Sequence, residues 1–404
     1  MKTWRHRSLI VSAKRVTTVV LDGLINLVPR GRGGEGRSRL LVIKLDALGD
    51  FILWLPVAHA LRKEFPSSSH EITLLGNQLW TDLAARLRVF DRIWPVSRER
   101  LRNDLMYRYA LMLKTRRAGF SQAVQCQLSR EFFLGDAVVR TCGASLRIGP
   151  RGDSAVSTPT QLRISDKWYD RLLEALPPTS AELARNADFF HRLTGVRLND
   201  PLPRLKAEWF ESSLYTRFSG KYFVVAPCAS IQGKMWPAER YAEISRRIVG
   251  QFGWQGVICG DPTQKTLAEE ICGGAGTAIT DLTGRTAIAE LCALLSRASL
   301  YVGNDTGPAH IAVAFGVPAV VVMGGGHFGR FFPYTLSGEG GAPKTAVANM
   351  PMDCYGCHWR CRYADLTTDV APCLDGIGLD VVWQAVLSVL SPKSVVADVP
   401  KQQG

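Results

Sequence analysis

From Leu40 onward, short, continuously apolar runs alternate with longer stretches whose apolar residues recur every three or four positions. Runs of that kind suit strands buried on both faces, and their alternation with helices is the pattern of βαβ units in parallel sheets. The pattern predicts strands near 40–45, 71–75, 92–96, 122–127 and 144–148, with helices over 98–117 and 180–195. Around 197–220 it turns irregular, and Asp200-Pro201-Leu202-Pro203 breaks any period, as an interdomain linker does. Alternation resumes with predicted strands at 221–226, 255–259, 278–282, 299–302 and 318–323. Helices are expected between them near 237–252, 263–272, 286–297 and 307–315, and a last one over 379–390. The expected organisation is α/β: two Rossmann-like, doubly wound domains facing a cleft, at 37–200 and 215–377, then a helix at 378–392 and, ahead of all of them, a leader at 1–36.

The loops at the carboxyl ends of these strands carry the candidate chemistry. In Gly303-Asn304-Asp305-Thr306-Gly307-Pro308-Ala309-His310 a strand ends in a tight turn and Pro308 opens a helix, where its missing N–H costs nothing. Free backbone N–H groups with a helix dipole behind them make an anion site, although an ordinary βα turn has the same outline. The arrangement recurs at Leu45-Asp46-Ala47-Leu48-Gly49-Asp50, where Asp50 at a helix start is either a general base or an N-cap. After the strand at 221–226, Ser230 and Lys234 offer a hydroxyl and a point charge to a phosphate. Asp261 follows the next strand, where a ribose hydroxyl pair is often held. Gly324, Gly325, Gly326 and Gly329 spell G-x-G-x-x-G, but no helix opening or distal acid completes a dinucleotide fingerprint, so a flexible, phosphate-facing loop is expected. Four such loops on one sheet edge describe a nucleotide-diphosphate site.

The net charge of +13 is uneven: residues 1–40 hold nine Lys/Arg against Asp22 and Glu35, and a second basic stretch runs from Arg98 to Arg117. Such clusters favour anionic partners, a phosphorylated glycolipid or an acidic membrane surface, unless they are merely solvated. Neither an aromatic-interleaved RNA signature nor zinc-finger spacing is present, so no nucleic-acid partner is expected. The first 29 residues lack the apolar core of a secretory signal, and no run of about 20 apolar residues is long enough to span a bilayer. Read as a helix, the leader places Ser8, Ser12, Arg15, Asp22 and Asn26 on one face and Leu9, Val16, Val20, Leu24 and Leu27 on another. It would lie on an anionic membrane surface, serve as a transit peptide, or cover a domain; residues 29–36 then form a flexible linker. The expected location is cytoplasmic, peripheral on the inner face of the cytoplasmic membrane. Cys354, Cys357, Cys361 and Cys373 gather within twenty residues, a spacing open to a structural zinc or iron, to free thiols or to disulfides.

The chain resembles glycosyltransferase family 9, the ADP-heptose:lipopolysaccharide heptosyltransferases, across roughly 39–390. The resemblance rests on Ile43-Lys44-Leu45-Asp46-Ala47-Leu48-Gly49-Asp50 with Leu55-Pro56 and Leu61-Arg62, on Lys234-Met235-Trp236-Pro237, on Asp281-Leu282-Thr283-Gly284-Arg285-Thr286 and on Asn304-Asp305-Thr306-Gly307-Pro308-Ala309-His310. It implies a GT-B fold and an inverting transfer, without a catalytic cofactor, of a sugar from a nucleotide diphosphate, usually ADP-heptose. The implied acceptor is a lipopolysaccharide-core or related envelope glycolipid. Carried over by motif, Asp50 is the base, Lys234 neutralises the leaving diphosphate, and Ser230 contacts it. Asp305, Thr306 and Gly307, with His310 and the loop of Gly324 and Gly325, hold the donor, and Asp261 the ribose. Similar cysteine clusters in some branches resemble an iron-binding finger. A protein serine acceptor, or an inactive nucleotide-sugar-binding protein, are the alternatives. The basic leader before Arg39 and the run Gly324-Gly325-Gly326-His327 depart from the common pattern.

Overall fold

The computed structural model describes residues 17–32, 36–213, 215–218, 220–335 and 343–391. They form two compact units: the described residues of Met1–Leu214, Thr286–Ser296 and Gly329–Ala342 in the first, and those of Tyr215–Arg285, Arg297–Phe328 and Pro343–Gly404 in the second. The helix expected over 286–297 is Ile288–Leu295 and belongs to the first unit.

In the first unit, β1 (Ser38–Lys44), β2 (His70–Asn77), β3 (Arg92–Val96), β4 (Gln122–Gln125), β5 (Leu146–Pro150) and β6 (Arg171–Leu173) form one sheet in the order β3-β2-β1-β4-β5-β6. In the second, β7 (Tyr222–Ala226), β8 (Gln255–Ile258), β9 (Ile279–Asp281), β10 (Leu300–Asn304), β11 (Ala319–Val322) and β12 (Thr345–Ala348) take the order β12-β11-β10-β7-β8-β9. Every pairing is parallel, so both sheets have the doubly wound dinucleotide-type order. The strand order reverses between β1 and β4 and between β7 and β10. Crevices open at such points, and the loops after these four strands carry the site residues below.

The central strands form where the apolar runs are uninterrupted: Leu40, Leu41, Val42 and Ile43 are buried, as are Phe223, Val224 and Val225. Helices cover both faces; in the second unit Tyr241, Ile244 and Ile248 of Ala238–Phe252 and Val382 and Val386 of Leu379–Leu390 close one core. Strands β6 and β12 escape the pattern because Arg171–Leu173 is only three residues long and Thr345–Ala348 carries small side chains with little apolar signal. The expected helix over 98–117 is two, Arg98–Asn103 and Leu105–Arg117. Asp104 separates them, its carboxylate accepting the Tyr107 N–H at 3.0 Å as N-cap of the second.

The described part of the leader packs on the first unit. Residues 17–25 are helical, while the earlier part of the predicted leader helix, with Ser8, Leu9, Ser12, Arg15 and Val16, and part of the linker lie outside the described residues. The helix docks by its polar face: the Arg108 guanidinium donates to both Asp22 oxygens at 2.7 and 2.5 Å, both side chains being buried. Ile25 packs with Met112 and Ala137, and Arg116 and Arg140 donate to the backbone carbonyls of Val28 and Val19. Val20, Leu24 and Leu27, on the apolar face, are exposed. Much of the second basic stretch is likewise paired within the unit, Arg98 and Arg102 with Glu131 and Arg100 with Asp104. Among the described residues, no helix is long and apolar enough to cross a membrane.

Removing one partner from a buried ion pair leaves an uncompensated charge, at a cost of about 3–5 kcal/mol. Asp22→Ala is therefore expected to lower the unfolding free energy of the first unit by about that amount in urea, and an Asp22→Leu/Arg108→Met pair to recover most of it. A loss below about 1 kcal/mol for the single variant would show that the pair is solvated.

Candidate functional site

In the first unit the loop after β1 enters helix Leu48–Glu64 through Ala47, an N-cap without a side-chain bond. Asp50 is the third helical residue, so its carboxylate is not the cap; it sits in the first turn, where the dipole favours an anion. Its surroundings oppose that charge. Burial, then the negative fields of Asp46 and Glu182, push the Asp50 carboxyl up to about 7 against the pull of Lys44 and Arg330. Lys44, wholly buried at the end of β1, donates to Asp46 at 2.7 Å, and burial pushes the Asp46 carboxyl up. Desolvation works against the Lys44 ammonium, but Asp46, Asp50 and Glu182 outweigh it and hold its pKa above the ordinary value.

Glu182 is fixed in turn by a closed ring of side chains. Its carboxylate accepts from Arg330 at 3.0 Å and from Arg185 at 2.8 Å; Arg330 reaches Ser129, Ser129 donates to Asp153, and Arg185 donates to Asp153 at 2.7 Å. Burial alone would raise the Glu182 carboxyl, but Arg330, Arg185 and Lys44 outweigh it and keep Glu182 ionised. A carboxyl poised near neutrality at a strand's carboxyl edge is suited to take a proton from a hydroxyl. The sequence motifs had not assigned a role to Lys44, Asp46, Glu182 or Arg330. A lysine closing an apolar strand was a usable signal; the other partners are far apart along the chain.

In the second unit β7 leads to Pro227 and the loop carrying Ser230 and Lys234, and β10 leads to Asp305. Asn304 ties the two together: its Oδ1 accepts from the Trp236 N–H at 3.3 Å and the Tyr241 hydroxyl at 3.0 Å, and its Nδ2 donates to the Pro227 carbonyl. Trp236, fully buried, donates its indole N–H to the Ile377 carbonyl at 3.0 Å. Lys234 lies 3.4 Å from the Ser230 hydroxyl and 4.9 Å from the centre of the Trp359 ring. Burial lowers the Lys234 pKa, with Asp305 opposing the shift; burial likewise raises Asp305 to about 7, with Lys234 opposing. His310 stands behind, its Nε2 3.8 Å from Asp305, and burial drops its pKa to about 3, so it is neutral. Thr306 caps helix Gly307–Ala314, with Pro308 in its first turn, leaving amides and the dipole at the loop. The arrangement combines a cation, hydroxyls and oriented amides: an anion cradle built on β7 and β10.

Other expected donor residues are occupied otherwise. Asp261 is exposed and caps its own 3-10 turn, accepting from the Thr263 N–H at 2.8 Å. The Gly324–Gly325 segment is buried, not a flexible phosphate loop: the Gly325 N–H donates to Cys373 Sγ at 3.4 Å, and a Cβ on Gly325 would meet the Tyr355 ring at 2.0 Å. The cysteine segment is thus a brace. It seats Tyr355 and Trp359 on the glycine run, with Trp359 held at φ 61°, and it clamps the Lys234 loop through the Gly233 N–H to the Leu366 carbonyl at 3.0 Å.

Cys354, Cys357, Cys361 and Cys373 are free thiols, and among the described residues no three His, Cys, Asp or Glu side chains are arranged as metal ligands. Four thiolates suit zinc or iron, but a shared ion needs their sulfurs about 4 Å apart, and the described side chains are not grouped that closely.

A carboxyl raised on folding stabilises below its unfolded pKa and loses that contribution as pH rises through its folded value. Asp305 therefore destabilises the second unit between about pH 4 and 7, and Asp305→Asn removes the loss. Measured by chemical unfolding, the variant is expected to gain on the parent between pH 4 and pH 8, by up to about 4 kcal/mol. A difference that stays constant over this range would place Asp305 in water.

A segment 34% identical over 105 residues aligns with the lipopolysaccharide core heptosyltransferase OpsX of Haemophilus influenzae; it covers 26% of this chain and 30% of that protein, under a third of its length. The Escherichia coli heptosyltransferase WaaC solved with ADP superposes with a TM-score of 0.66 at 17% identity, over 87% of this chain and 99% of that one. TibC of enterotoxigenic E. coli, described as an iron-containing dodecameric glycosyltransferase, superposes at 0.51 with 16% identity, over 90% and 77%. These structural likenesses bear out the paired Rossmann-like, GT-B-type architecture. The model of glycosyltransferase family 9 (heptosyltransferase) matches residues 133–340, more than half of the sequence, and so this chain belongs to that family.

Proposed function

We propose that the protein transfers a heptose from ADP-heptose, with inversion, to a hydroxyl of a lipopolysaccharide-core or related envelope glycolipid. The observation that carries this reading is the raised Asp50 carboxyl at the β1 edge, in a chain whose second unit bears the Lys234–Asn304–Asp305 anion cradle. The acceptor hydroxyl gives its proton to the Asp50 carboxylate as its oxygen bonds to the anomeric carbon. The bond from that carbon to the diphosphate breaks, and the electron pair leaves with the diphosphate. The Lys234 ammonium, the Ser230 hydroxyl and the amides at the start of Gly307–Ala314 meet the growing negative charge. Asp305 and Thr306 hold the donor, with neutral His310 3.8 Å behind Asp305. OpsX, a lipopolysaccharide core heptosyltransferase, and WaaC, a heptosyltransferase solved with ADP, support the donor and acceptor classes.

The same reading includes work at an anionic membrane surface on the cytoplasmic side. It is supported by the apolar ridge of Val20, Leu24 and Leu27, which the Asp22–Arg108 pair turns outward, and by the exposed Met106.

With ADP-heptose and a lipid acceptor, kcat is expected to fall on the acid side with a limb near pH 7. Asp50→Asn should lower kcat by about 10²–10⁴ while leaving ADP-heptose affinity within a few-fold. Near-parent turnover by Asp50→Asn would remove it as the base, and transfer only to polypeptide serines would overturn the acceptor class. Leu24→Glu/Leu27→Glu should lose most co-sedimentation with phosphatidylglycerol vesicles, and unchanged partitioning would contradict the membrane role.

A further inference from the structure

Farther along helix Leu48–Glu64 from Asp50, about 9 to 21 Å on at helical rise, Pro56, His59, Ala60, Lys63 and Glu64 line up at three- and four-residue spacing. The irregular stretch 196–209 runs past that face, and the two enclose a cavity of about 630 Å³ within the first unit, in the size range of small-molecule sites. Its apolar lining includes Pro56, Ala60, Phe190 and Leu202. Four cations, Lys63, Arg197, Arg204 and Lys206, stand against two carboxylates, Glu64 and Asp200. Asp200 is engaged by Arg204 at 2.8 Å, and Lys206 is only 3.7 Å from the exposed Glu208. Among the described residues Lys63 and Arg197 have no ion pair, and both are exposed at the rim.

Half-buried His59 registers the resulting field. Burial first, then the charges of Lys63 and Lys206, lower its pKa, so this part of the cavity is net positive around a neutral imidazole. The Trp209 ring lies 6.4 Å from that imidazole. An apolar wall alone would accept any greasy group; a positive rim disfavours cationic ligands and rewards an anion with an apolar body. None of these residues belongs to the Asp50 or Lys234 clusters.

We propose that this cavity binds an anionic membrane lipid, with an acyl chain along Pro56, Ala60, Phe190 and Leu202 and the acidic headgroup among Lys63, Arg197 and Lys206. The site is independent of the transfer reading. An anion in that position also returns charge to the histidine: bound headgroup offsets the lysine field, so the His59 pKa rises on binding.

The test uses the full chain with dodecyl phosphate below its micelle concentration, followed by calorimetry and by NMR titration of the His59 imidazole. About one equivalent should bind, the His59 titration should move to higher pH, and saturating ADP should not compete. Lys63→Glu/Lys206→Glu, both changes at exposed positions, should weaken binding at least tenfold with the melting temperature held, and Ala60→Trp, which fills the cavity, should weaken it comparably. Phosphatidylglycerol vesicles should protect His59 and phosphatidylcholine vesicles should not. Failure of dodecyl phosphate to bind, equal binding of dodecyltrimethylammonium or of inorganic phosphate alone, or a His59 titration that does not move would each overturn the proposal. A failure here with Asp50-dependent transfer intact would leave the catalytic reading standing.

Discussion

The first unit depends on a negative charge that the fold declines to neutralise. Glu182 is held ionised inside the ring of Arg330, Ser129, Asp153 and Arg185, and Asp46 is held beside Lys44; both face Asp50 from a partly dehydrated strand edge. Two arginines and a lysine are present, yet they are committed to other carboxylates, so Asp50 receives more repulsion than attraction. A base built this way is strong when ionised and already near its working pH, at the expense of local stability. Asp305 repeats the device in the second unit, where burial raises the carboxyl and Lys234 restrains it.

Both clusters sit at the switch points of sheets with the same strand order, on loops that the fold immobilises by distant contacts. Asn304 joins the β7 and β10 loops through a buried amide, and Trp236 anchors one of them to the Ile377 carbonyl. The segment 354–373 presses Tyr355 and Trp359 on the glycine run and clamps Gly233, so residues far from any strand edge decide where the Lys234 ammonium stands. Positional precision of that order is what charge stabilisation of a leaving anion needs.

Buried central strands such as Leu40–Ile43 were legible because parallel strands covered on both faces leave continuous apolar runs. Asp50, Lys234 and Asp305 stood out because βα loops after such strands often carry ligands. Strands β6 and β12 were not, since a three-residue strand and one of small side chains leave little apolar signature. Asp261 has a structural reading as well, since it caps its own turn, and the glycine run reads as flexible in the sequence because close packing demands glycine as strictly as phosphate approach does. How the helix at 17–25 docks was not legible: periodicity identifies two faces but not which one packs, and a buried Asp22–Arg108 pair docks the polar one. The Glu182 ring joins residues from 129 to 330, a long-range assembly that leaves no local pattern.

The direct test is the carboxyl carbon of Asp50, labelled and followed by NMR through a pH titration of the intact protein. A midpoint near pH 7 is the result expected of a carboxyl dehydrated and faced by Asp46 and Glu182. A midpoint near 4, the value of an aspartate in water, would contradict it and with it the assignment of Asp50 as a poised base.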